Sequence, residues 1–141
     1  MRSTTVDKKR HPSRDRQRGQ SIVEMALIMP LLLAVVALAA DLGRVYFAYV
    51  GVVGAAEQGA RVGSDSSHPN VAIRAAVKDE SGRLVAIDDS DITISPSNVR
   101  PAGSMVEVTV THDFDLVTPI PRALFGVEHL TLTARASHVV W

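Results

Sequence analysis

Apolar positions are distributed very unevenly along this chain. From Met25 to Ala40 they run almost without a break, and together with Ile22 and Val23 they form a segment of about 19 residues. Such a run matches the roughly 20 residues a helix needs to cross a hydrocarbon core about 30 Å thick. Ser21 and Glu24 stand three apart at its head, the spacing of a capping box, which predicts a helix start there. Pro30 falls inside the run, where it removes one backbone hydrogen bond and predicts a bend. Past Asp41 a helical pattern resumes through Val45, Tyr46, Phe47, Tyr49 and Val50, with the aromatic rings placed for the headgroup level of a membrane. It continues as a stripe of small residues, Val52, Ala55, Ala56, Gly59, Ala60 and Gly63.

After Gly63 the pattern changes. Ser64 to Asn70 reads as a turn or linker. Val71 to Val77 alternates with Arg74 and Lys78 as a short amphipathic helix that should stop near Ser81–Gly82. Three segments then alternate with period two and are rich in β-branched residues: Ile92 to Ile94, Met105 to Thr111 and Leu130 to Ala134. Pro96 and Pro101-Ala102-Gly103 separate the first two, and Pro119 to Gly126 forms a loop with about one helical turn before the third. The expected fold is α+β: a long N-terminal transmembrane and stalk helix, a short second helix and a small three-stranded antiparallel sheet. The expected divisions are a basic leader at 1–19, the span and stalk at 20–63, and a small α+β head at 64–141.

Charge adds an orientation. The chain has 15 basic and 15 acidic residues in all, yet Lys8, Lys9, Arg10, Arg14, Arg16 and Arg18 crowd the leader against only Asp7 and Asp15. Basic residues beside a span keep that end in the cytoplasm, which places the C-terminal bulk outside. The leader has no interleaved aromatics, so a nucleic-acid partner is not expected. There is no cysteine. A head of this size therefore lacks the disulfide staples of small secreted domains and depends for its core on the helix, the membrane or neighbouring subunits.

Glu24 is the unusual residue, because a carboxylate entering hydrocarbon costs about 2.5 to 3.5 kcal/mol on insertion scales. The small-residue stripe is open to two readings. Small residues three and four apart let helix backbones approach closely, either on the chain's own domain or on a helix of another subunit through Ala56, Gly59 and Gly63.

Catalytic signals are lacking. His68, His112, His129 and His138 are scattered without ligand spacing, Asp88, Asp89 and Asp91 lack the glycine and distal Glu of a calcium loop, and neither a nucleophile elbow nor a phosphate-binding glycine loop occurs. No catalytic residue, cofactor, metal or small-molecule substrate is expected.

The ordered motifs Arg18-Gly19-Gln20-Ser21-Ile22-Val23-Glu24-Met25-Ala26-Leu27, Pro30-Leu31-Leu32-Leu33, Asp41-Leu42-Gly43-Arg44, Gly54-Ala55-Ala56 and Gly59-Ala60-Arg61 resemble the TadE-like family, pilin-like proteins of the tight-adherence (Tad/Flp) pilus system. The resemblance covers about Arg18 to Gly63. It implies a minor pilin or pseudopilin in the bacterial cell membrane, crossing it once, with partners among other pilin-like subunits and the Tad pilus machinery. It also implies that a prepilin peptidase cuts between Gly19 and Gln20, leaving Glu24 as the fifth residue, where it can pair with the new α-amine. Two rival readings remain. Ala37-Leu38-Ala39 before Ala40 fits a secretory signal peptide releasing a soluble binding protein, and the span also suits a signal-anchored protein unrelated to pili.

Overall fold

The computed structural model describes residues 14–82, 84–118, 123, 126 and 128–141, with side chains from residue 19 onward. The basic residues Lys8, Lys9 and Arg10 and most of the Pro119 to Gly126 loop lie outside the described residues. Among the described residues five regular elements and one short 3-10 turn follow in order: α1 (Arg14–Gly63), α2 (Asn70–Ser81), the turn at Asp89–Asp91, β1 (Ile92–Ser95), β2 (Met105–Asp115) and β3 (His129–Val139). This is the expected α+β arrangement, and the chain divides into two compact units, 1–36 and 37–141.

In the first unit α1 is already helical at Arg14, seven residues before Ser21, and the helix continues through Pro30. Arg and Gln are good helix formers, and only Gly19 opposes them in this stretch. The apolar side chains here are exposed, from Ile22 and Val23 to Leu33. The segment Gly19–Gly63 is long and apolar enough to cross a membrane.

The second unit holds the core. Its sheet is antiparallel in the order β1-β2-β3, with β2 central. Ile92 faces Val110, Ile94 faces Val108, and Val110 in turn faces Ala134, so the period-two apolar residues of all three strands share one face. Val106, Val108 and Val110 are fully buried on that face. The cover comes from two helices: Val52, Ala55, Ala56 and Ala60 of α1, and Ile73 and Val77 of α2. Three strands need such cover to be stable. The stalk half of α1 and the residues after it therefore share one core, and the position 63/64 lies inside this unit.

β2 and β3 are longer than the alternation predicts: β2 reaches Asp115, and β3 starts at His129 and runs on past the expected end at Ala134 to Val139. Asp115 pairs with His129 at that end, Nδ1 of His129 lying 3.1 Å from the carboxylate, and Thr131 Oγ1 donates to Asp113 Oδ1 at 2.7 Å. These polar cross-strand pairs extend the ladder past the apolar pattern that sequence reading relies on. At the other end Pro101 to Ser104 forms a turn closed by Ser104 N donating to Pro101 O at 3.0 Å. Its third residue, Gly103, has φ +83°, which favours glycine. The turn is tied to the chain end by Gly103 N to Val140 O at 2.7 Å. Trp141 also returns to the end of α1, its amide donating to Ser64 O at 2.9 Å and its indole Nε1 to Ser64 Oγ at 3.2 Å.

Candidate functional site

Gly19, Gln20 and Glu24 occupy successive positions of a helix that is already formed. Ser21 is therefore not the first residue of α1, and the capping box expected from Ser21 and Glu24 does not operate as a helix start. Glu24 instead accepts a hydrogen bond from Gln20 Nε2, 3.0 Å from its Oε1, across one helical turn. Apart from its chain neighbours and the backbone of its own helix, a Cβ built on Gly19 would meet nothing within 4 Å among the described residues. Glu24 is exposed, and with Ser21, Met25, Ile28, Met29 and Leu32 it lines a shallow, largely apolar groove along the helix. A lone carboxylate on such a face suits the pairing of a cation at the edge of an apolar environment, where a paired charge costs less than an isolated one.

Ala56, Gly59 and Gly63 lie elsewhere, in the second unit. Ala56 is 1% exposed. A Cβ on Gly59 would stand 2.5 Å from Val77 Cγ2 and 3.1 Å from Val108 Cγ1, and one on Gly63 would stand 3.1 Å from both Ile73 Cδ1 and Val106 Cγ2. The close approach that these small residues permit is used by α2 and β2 of the same chain. Packing on the chain's own domain, one of the two readings of the stripe, is thus present at Gly59 and Gly63.

A second constellation, at Asp41 and Arg44, was not visible in the sequence. Asp41 directly follows the apolar run, yet it is only 3% exposed. Its Oδ2 accepts from the backbone N of Thr118 at 2.9 Å and from the Thr118 hydroxyl, while Arg44 Nη1 lies 3.5 Å from Oδ1. A buried carboxylate needs such donors, because an unpaired one is strongly disfavoured. Arg44 also stacks over the Phe114 ring at 5.3 Å from its centroid, a cation–π contact. The polar residues of the Asp41-Leu42-Gly43-Arg44 motif thus fasten the end of β2, and the chain just beyond it, onto α1. Asp41 and Thr118 are 77 residues apart, and no local pattern signals such a bond.

Arg100 makes a comparable tie at the N-terminal end of α2. It is 7% exposed, with Nη1 donating to Asn70 Oδ1 at 3.1 Å and Nη2 donating to the carbonyl of His68. The remaining polar clusters hold turns. Asp65 accepts from Ser67 Oγ at 2.7 Å and Ser67 N at 2.8 Å, and these bonds, with His68 nearby, hold its carboxyl below the usual carboxylate range. Lys78 Nζ lies 2.8 Å from Asp89 Oδ1 and lowers that carboxyl likewise. Asp91 Oδ2 accepts from Asp88 N at 3.2 Å, closing the 3-10 turn. Among the described residues no group of three or more His, Asp or Glu is arranged to hold a metal ion.

No curated protein and no solved structure matches the chain. The likeness that exists lies in the stretch that carries Gly19, Gln20, Glu24, Asp41 and Arg44: residues 19–61 match the model of the TadE-like protein family.

Proposed function

We propose that this chain is a minor pilin or pseudopilin of the Tad pilus system, held in the bacterial cell membrane by the single span Ile22–Ala40. The family match over residues 19–61 carries this reading, and the placement of Glu24 on an exposed apolar helix face one turn from Gln20 supports it. The N-terminal leader is cytoplasmic, following its basic residues, and the head is extracytoplasmic. A prepilin peptidase cuts after Gly19. The new α-amine of Gln20 is then neutralised by Glu24 of the same or a neighbouring subunit, and the apolar face around Glu24 packs on other pilin-like helices of the machinery.

Mass measurement of the mature N-terminus, with and without the cognate prepilin peptidase, tests the reading directly. A start at Gln20 is expected. A start at Ala40 would assign the chain to secretion, and an intact Met1 to a permanent anchor. Glu24→Gln keeps an oxygen that can accept from Gln20 Nε2 but loses the charge, so membrane insertion should persist while incorporation into the pilus apparatus falls. Equal incorporation of variant and wild type would remove the amine-pairing role.

A further inference from the structure

We infer that the end of the head beside Asp41 rests on the membrane surface, with a lipid headgroup layer as the partner of Tyr46, Phe47, Val117 and Leu130. The inference builds on the reading of Ile22–Ala40 as a span.

The level of the bilayer edge is marked by Asp41, the first residue after the apolar run. Thr118 is bonded to that carboxylate through both its amide and its hydroxyl, so the strand end after β2 is held where the span stops. Arg44 stands three residues further, about 4.5 Å along α1 at 1.5 Å per residue. It holds Phe114, which faces Leu130 across the β2–β3 ladder. Tyr46 and Phe47 come about 7.5 to 9 Å past Asp41 by the same rise, with their rings in an edge-on contact at 6.2 Å. A headgroup layer is about 5 to 7.5 Å thick on each side of the hydrocarbon. Thr118, Arg44 and, through Arg44, Phe114 and its ladder partner Leu130 therefore gather within about one such layer, with Tyr46 and Phe47 at its outer edge.

The apolar side chains at this level are open. Val117 is 70% exposed, Tyr46 64%, Phe47 63% and Leu130 40%. They belong to different elements and share a height along α1 rather than one face of one element. A flat layer of lipid fits a height, whereas a helix or a strand of another protein fits a face. Arg44 supplies a half-exposed cation for lipid phosphate, and with His112, Phe47 and Phe114 it lines a groove at this end of the head. Asp113, Asp115 and Glu128 are exposed at this end too, Asp113 accepting from Thr131 and Asp115 lying beside His129, so the contact rests on the apolar side chains and Arg44 rather than on net charge.

The absence of native cysteine allows single nitroxide labels on the full chain in vesicles of phosphatidylcholine and phosphatidylglycerol. Labels at Val117→Cys and Phe47→Cys are compared with Val99→Cys, an apolar residue 76% exposed beside Arg100, and with Leu33→Cys within the span. The expected result is a several-fold lower accessibility to a water-soluble nickel chelate at 117 and 47 than at 99, with oxygen accessibility raised. Equal nickel accessibility at 117 and 99, while Leu33 stays shielded, would overturn the inference and leave the span intact. Nickel access at Leu33 would overturn the span reading and this inference with it. Shielding at 117 that grows with the protein-to-lipid ratio would assign the surface to a second copy of the chain instead.

Discussion

Gly59 offers the sharpest test of the packing, because a single methyl group should have opposite effects at two glycines of one helix. In Gly59→Ala the new Cβ would lie 2.5 Å from Val77 Cγ2, 3.1 Å from Val108 Cγ1 and 3.6 Å from Ile73 Cγ2. All three neighbours are fully buried and β-branched, so none can swing away without displacing α2 or β2. Overfilling a packed site costs about 1 to 3 kcal/mol, and a contact this short belongs in the upper half of that range. Against it stands the gain from replacing a helical glycine, about 1 kcal/mol. The net loss is about 1 to 2 kcal/mol, which lowers the unfolding midpoint of a domain of this size by about 4 to 16 °C. Gly54→Ala is the matched control. There the new Cβ meets only Glu80, at 3.8 Å or more, so the helix gain remains and the midpoint rises by a few degrees. Thermal unfolding of the full chain in detergent, followed by the fluorescence of the single Trp141, reads out the head because that indole is bonded to Ser64. A midpoint raised equally by both substitutions would refute the seat of α1 on α2 and β2.

Thr118→Val removes the hydroxyl donor to Asp41 and leaves the backbone amide of residue 118 as the remaining donor from this residue to Oδ2. It should speed hydrogen exchange at the amide of residue 118, and unchanged protection there would discount the tie. The carboxyls of Asp65 and Asp89 sit below their ordinary value of 3.8, so the stability they contribute is present above that value and is lost as pH falls through their lowered folded values. Unfolding midpoints measured downward from about pH 6 should drop less steeply in Lys78→Met than in wild type at low salt, since the larger part of the Asp89 share has gone and only the pull of Arg74 remains. Identical profiles would show that the Lys78–Asp89 pair has no part in acid sensitivity.

The helical runs and the alternating strands were legible because each follows one period over enough residues to be distinctive. α2 ends at Ser81 with Gly82 after it, as its pattern indicates, and β1 starts at Ile92. The start of α1 was not legible from Ser21 and Glu24, since a capping-box spacing marks a helix start only where the helix is not already running. The end of β2 and the start of β3 were hidden for a different reason: on either side of Phe114 with Leu130 the pairs are Asp115 with His129 and Asp113 with Thr131, polar on polar, which alternation does not register. Of the candidate residues, Gly19, Gln20 and Glu24 could be singled out because they are contiguous and chemically unusual. The Asp41–Thr118 bond joins distant parts of the chain and requires the fold to be known first. Ala56, Gly59 and Gly63 were visible as a small-residue stripe, but spacing alone carries no information about which surface fills the gap.

The placement of Val52, Ala55, Ala56 and Ala60 in the core of the second unit has a consequence for how the chain can be dissected. A fragment beginning at Ser64 would strip the sheet of its α1 cover and leave Val106, Val108, Ile73 and Val77 facing water, so it should aggregate rather than fold. A fragment beginning at Asp41 keeps that cover, and Asp41 keeps its bonds to Thr118. The natural unit of exchange, whether by recombination over evolution or by a protein engineer fitting a new anchor, thus starts partway along α1 and not at its end.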